Sequence, residues 1–203
     1  MRNLFKIIFL VFVVVWFGYE WWRNRPVVHG PGVVAPEAPE QVMIEEEVSP
    51  IVFGDYRLTP LASFQVEARV LSRERYWFGR EARLAPVDLA LGWGRMSDES
   101  VLKSIDISQS NRFYRWHVKQ FPIPRRDIES SSCNMHLIPA NGVIARRIKR
   151  VRVGQVVRFK GSLVEIESSN GWRWKSSLSR GDTGAGACEI VYVTDFSEGE
   201  DDY

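Results

Sequence analysis

GQVVRFKGSLVEI, residues 154–166, reads as one long β-strand with Gly161 near its middle. Valine, phenylalanine and isoleucine favour a pleated, half-buried surface. A glycine inside such a run marks a bulge or sharp bend, since it brings no side chain to pack. A long bent strand needs curved neighbours, and the flanking sequence supplies them. Downstream, Ser168, Ser169, Asn170 and Gly171 make a turn, residues 172–175 (WRWK) return, and residues 189–194 (EIVYVT) give a final strand. Upstream, Asn141 caps a basic helix in which Ile144 and Ile148, one turn apart, face inward.

Further toward the N-terminus the pattern has period two. Phe64, Val66, Ala68 and Val70 alternate with Gln65, Glu67 and Arg69, so one face is apolar and the other wet. Val87, Leu89 and Leu91 alternate with Asp88 and Ala90 and run into Gly92, Trp93, Gly94. Met96, Ser97, Asp98, Glu99 and Val101 read as a short helix with Ser97 as N-cap. Residues 111–119 (NRFYRWHVK) read as an aromatic strand with Phe113 and Arg115 opposite Tyr114 and Trp116, ended by Pro122 and Pro124. Residues 134–138 make a further short strand. The expected fold is mainly β with short helices: a small OB-like curved β-barrel of five or six strands over residues 51–196, followed by an acidic tail, 197–203.

Residues 1–25 (MRNLFKIIFLVFVVVWFGYEWWRNR) read as a signal anchor, an N-terminal transmembrane helix. No charge occurs from Ile7 to Tyr19, and Trp21, Trp22, Arg23 and Arg25 suit a headgroup layer. Leu4 to Trp22 reaches spanning length if Lys6 snorkels. The bulky exit at Tyr19, Glu20, Trp21 and Trp22 argues against peptidase cleavage. Residues 26–50, with Pro26, Pro31, Pro36, Pro39, Pro50 and the acids Glu37, Glu40 and Glu45–Glu47, read as an extended spacer that stands the domain off the bilayer. Arg2 and Lys6 favour an N-terminus inside, with the domain in the periplasm of a Gram-negative cell. There Cys133 and Cys188 are a candidate disulfide.

Chemistry-bearing residues are sparse. Arg146, Arg147, Lys149, Arg150 and Arg152, with Arg158 and Lys160, place seven cations after Asn141 with no intervening acid. Such a patch complements a helix C-terminus, or meets a polyanion if aromatic residues stack beside it. Trp116, Trp172, Trp174, Arg180 and Asp182 are the candidate ligand-binding residues, the last two in the Ser176–Cys188 loop, whose small residues let backbone approach a ligand. The triplet Asp182, Thr183, Gly184 lacks the second copy and the hydrophobic flanks that the aspartic-protease motif needs. Cys133 and His136 have metal-like spacing without a second pair, so no metal site, cofactor or catalytic set is assigned.

The blocks LALGWGRMSD, ISQSNRFYRW, NMHLIPAN, VRVGQVVRFKGSLVEI and GWRWKSSLSRGDTGAGACE, within residues 89–196, resemble those of an uncharacterised family of bacterial membrane-anchored proteins. The resemblance implies bacterial origin and an envelope location. It supplies no activity. The expectation is a single-pass inner-membrane protein whose domain is a non-enzymatic binding module for an envelope protein. The alternatives are an envelope hydrolase using the Ser176–Cys188 loop with His117 or His136 as base, and single-stranded nucleic-acid binding.

Overall fold

A computed structural model describes residues 2–46, 48–179 and 187–199, with the side chains of residues 2–5 and 23 outside the description. Helix α1 (Arg2–Arg23) is followed by β1 (Glu40–Met43), β2 (Ile51–Phe53) and the long β3 (Tyr56–Arg75). Then come α2 (Arg80–Leu84), β4 (Val87–Gly92), a 3-10 turn at Gly94–Ser97, α3 (Glu99–Leu102), β5 (Asp106–Ser110), β6 (Phe113–His117) and α4 (Arg125–Ser130). The remainder is β7 (Ser132–Pro139), α5 (Gly142–Arg150), β8 (Val156–Ser168), β9 (Arg173–Lys175) and β10 (Glu189–Glu198).

The chain is mainly β, and its principal sheet is partly ring-like. Pairing runs β3, β4, β7, β10, β8 and back to β3, antiparallel except for the parallel pair β7–β10. β1 and β2 extend β3, β9 extends β8, and β5–β6 form a separate hairpin. The expected kink at Gly161 has its counterpart across the ladder, where β10 shifts register between Val193 and Asp195. A Cβ on Gly161 would stand 2.0 Å from Tyr192 O, so only glycine admits this approach.

Period-two alternation fills the ring. Phe64, Val66, Val70, Leu89, Leu91, Met135, Leu137, Phe159, Leu163, Val191 and Phe196 form one buried cluster, closed by Ile144 and Ile148 of α5. Asn141 caps α5 as expected, its Oδ1 accepting from Val143 N at 2.9 Å and Ile144 N at 3.0 Å. The outer face of β4 and β7 is not wet. All six β4 residues are buried, because the β5–β6 hairpin, α2 and β9 lie over that face.

Two expectations change. Ser97 does not cap a helix; Asp98 does, accepting from Ser100 N at 2.8 Å, while Ser97 Oγ accepts from Val34 N and Ala35 N. Residues 26–50 do not form a free spacer but a strap laid along the domain. Val27 N donates to Val153 O at 2.8 Å, His29 Nε2 lies 2.7 Å from Gly154 O, Gly32 N donates to Asp98 Oδ1, and β1 pairs with Ala62–Gln65 of β3. Proline and glutamate kept the strap from folding on itself, and the backbone donors that hold it find acceptors only in the folded domain. The leader is helical as expected, and among the described residues no helix is long and apolar enough to cross a membrane.

Candidate functional site

The turn of the β5–β6 hairpin holds Asn111 and Arg112 at φ 52° and 66°, the left-handed pair that suits a two-residue hairpin. This folds Arg112 back over the sheet. Its Nη1 lies 2.8 Å from Oδ1 of the fully buried Asp88, its Nη2 donates to Ala85 O, and its guanidinium stacks 4.0 Å above the Tyr76 ring. The other Asp88 oxygen lies 2.9 Å from Nδ1 of His136, which faces it across β4–β7 and packs 4.9 Å from Trp174.

The hairpin backbone is held as firmly. Arg112 N donates to Tyr76 Oη at 2.8 Å, and Arg112 O accepts from Asn134 Nδ2 at 3.0 Å. Burial first, and the Asp88 charge second, push the Tyr76 phenol up to about 12. The guanidinium gives the buried carboxylate a compensating partner on one side, while Asp88 Oδ2 and His136 Nδ1, though close, are not aligned as a hydrogen bond. The cluster fastens the hairpin to the ring.

Beside this cluster, β6, α4 and the first residues of β7 and β10 enclose a cavity of about 450 Å³. Phe113, Tyr114 and Trp116 give it an aromatic wall, Arg125 and Glu129 pair at 2.8 Å, and the half-buried Cys133 and Cys188 and the buried Glu189 complete the lining. Tyr114 Oη donates to Ser132 Oγ at 3.2 Å, and burial pushes this phenol up to about 12. Aromatic surface with a few convergent polar groups is the usual make-up of a ligand pocket.

The sequence-named residues divide among several places. Trp116 lines the cavity, with Arg125 5.9 Å from its ring. Trp172 and Trp174, 6.1 Å apart on and beside β9, pack instead on the outer cluster of Leu58, Ile138 and Ile166. Trp172 meets Tyr56 edge-on at 6.2 Å and Arg80 at 5.0 Å. The three tryptophans therefore do not form one cleft. Arg180 and Asp182 lie outside the described residues. Ser176 spends its hydroxyl within the fold, donating to Ser177 O and accepting from Ile190 N, and His117 is exposed at the end of β6. Both cysteines reach the same cavity. Among the described residues no cluster of His, Cys, Asp and Glu is fit to hold a metal ion.

Of the basic patch, Arg146, Lys149 and Arg150 are exposed on α5, Arg147 donates to Phe196 O at 2.7 Å, and Arg152 is half-buried beside the helix end. Arg73 and Arg75 of β3 join them, both donating to Lys149 O, and no local pattern in the sequence points to this. Asp88, Arg112 and Tyr76 were also missed as a group, since nothing local links residues so far apart in the chain. No family model, curated protein or solved structure matches this chain.

Proposed function

We propose that the chain is a single-pass protein of the bacterial inner membrane, with α1 in the bilayer and an OB-type domain in the periplasm that serves as a binding module for an envelope protein. The observation that carries this reading is α1. Its apolar side chains point in every direction and stay largely uncovered: Phe9, Leu10, Phe12, Phe17 and Trp21 are each more than 60% exposed. A helix apolar all round is stable where its whole circumference is surrounded by apolar matter. Lys6 at one end and Trp21, Trp22 and Arg25 at the other suit two headgroup layers, and the short uncharged run is accommodated by snorkelling and local thinning of the bilayer.

The OB-type reading is supported by a five-strand pairing cycle, one parallel pair, and a helix between the third and fourth strands of that cycle. In such folds the outer face of the second and third strands takes oligonucleotides or oligosaccharides. Here Asp88, Ala90, Asn134 and His136 on that face are buried under the chain's own hairpin. The adjoining 450 Å³ cavity is a surface beside that face which stays open to a ligand. Alkaline carbonate extraction in high salt tests the anchor. The full chain is expected to stay with the membrane and a chain lacking residues 1–25 to be released; release of the full chain overturns the reading.

A further inference from the structure

The strap leaves little slack between α1 and the domain. Between the helix end at Arg23 and the first docking bond, Val27 N to Val153 O, lie only Asn24, Arg25 and Pro26. Asn24 itself accepts from Arg73 Nη2 at 3.4 Å. The junction is tight, since a Cβ on Gly154 would stand 1.9 Å from Val27 O. Whatever surface α1 enters, the part of the domain around residues 149–154 must face it.

That part is basic. Arg73 and Arg75 converge on the C-terminal carbonyls of α5, Lys149 O and Val151 O, and Arg146, Lys149 and Arg150 stand exposed on the same helix with no ion pair among the described residues. Of the acids close by in the chain, Glu20 accepts from Asn24, and Glu74 lies on the Tyr76 face of β3, opposite to Arg73 and Arg75. The acidic part of the strap pairs further back along β3, at Ala62–Gln65. The exposed Val28, Val153, Trp21 and Trp22 add apolar tips around the same junction.

We infer that this basic face is a docking surface for anionic phospholipid headgroups, which holds the domain flat on the bilayer. The inference rests on the bilayer reading of α1 and adds the lipid class and the orientation of the domain. Each cation near an anionic leaflet contributes enough to shift local binding about fivefold, an effect that fades within about 8 Å at physiological salt.

The test uses the full chain reconstituted in phosphatidylcholine vesicles and in vesicles containing one quarter phosphatidylglycerol. A membrane-impermeant acylating reagent labels lysines, read by mass spectrometry. Lys149 is expected to label about fivefold more slowly in the anionic vesicles at low salt. Lys175, which pairs with Glu165 at the far end of β3, is expected to label equally in both. Arg146→Gln with Arg150→Gln, both exposed, is expected to remove the protection, as is 0.5 M salt. Equal Lys149 labelling in the two vesicle types overturns the inference. Flotation with pure phosphatidylcholine reads the anchor separately: a chain that fails to float there yet shows Lys149 protection on anionic vesicles keeps the basic face and loses α1 as an anchor.

Discussion

Asp88 pairs with Arg112 through one oxygen and stands beside His136 with the other, so its removal strips the half-buried Arg112 of its ion-pair partner in the interior. Asp88→Asn is expected to cost about 3–5 kcal/mol in urea unfolding, the range for breaking one side of a buried pair. Tyr76 and Tyr114 make a second prediction. Both phenols ionise at about 12 in the folded chain against 10.0 ordinarily, so the unfolded chain loses its protons first as pH rises. Their contribution is fully present below pH 10 and is lost between 10 and about 12, so the melting temperature falls across that window. Tyr114→Phe is expected to flatten the fall, and an unchanged profile would remove burial of Tyr114 as its cause. At this scale the sequence was a partial guide. Asn141 and the pair Ile144 and Ile148 were legible because a cap and a helical face are local. Asp88 was not, since its period-two position implies a solvated side, and only a hairpin over twenty residues away makes it dry.

Among the elements, strands with one buried face were legible from alternation alone, as in β3 and β8. The alternation stops being informative where both faces are covered, as in β4, and where a segment has no period of its own. The strap belongs to the second kind. Its prolines and glutamates read equally well as a free linker, and what orders it is a set of distant acceptors at Val153, Gly154, Ser97 and Asp98. Gly154→Ala tests how much the strap depends on them. With φ at +87° and no room for a Cβ beneath Val27 O, the substitution is expected to cost about 1–3 kcal/mol and to speed amide exchange at Val27. An unchanged exchange rate would mean that the strap is held from Ser97 onward and not at the junction. β5 was missed for a different reason: Asp106, Ser108 and Ser110 face solvent and Ile107 alone is apolar, so pairing with the aromatic β6 supplies the order that its composition lacks.

For the whole molecule, the strongest sequence signals came from its two ends: the apolar leader and the glycine-bent strand. Their relation was not legible, because it runs through the strap and through arginines on β3 that no local pattern ties to α5. Nor did the spacing of the tryptophans reveal that Trp116 and the Trp172–Trp174 pair serve different clusters. The order of pairing round the cycle also bears on biosynthesis. β10, the last strand among the described residues, joins β7 to β8; β3, among the first, needs β8 a hundred residues later. The cycle cannot close until both β8 and β10 have been made, and until then β3 and β7 each carry an unpaired edge that is open to pairing with another chain.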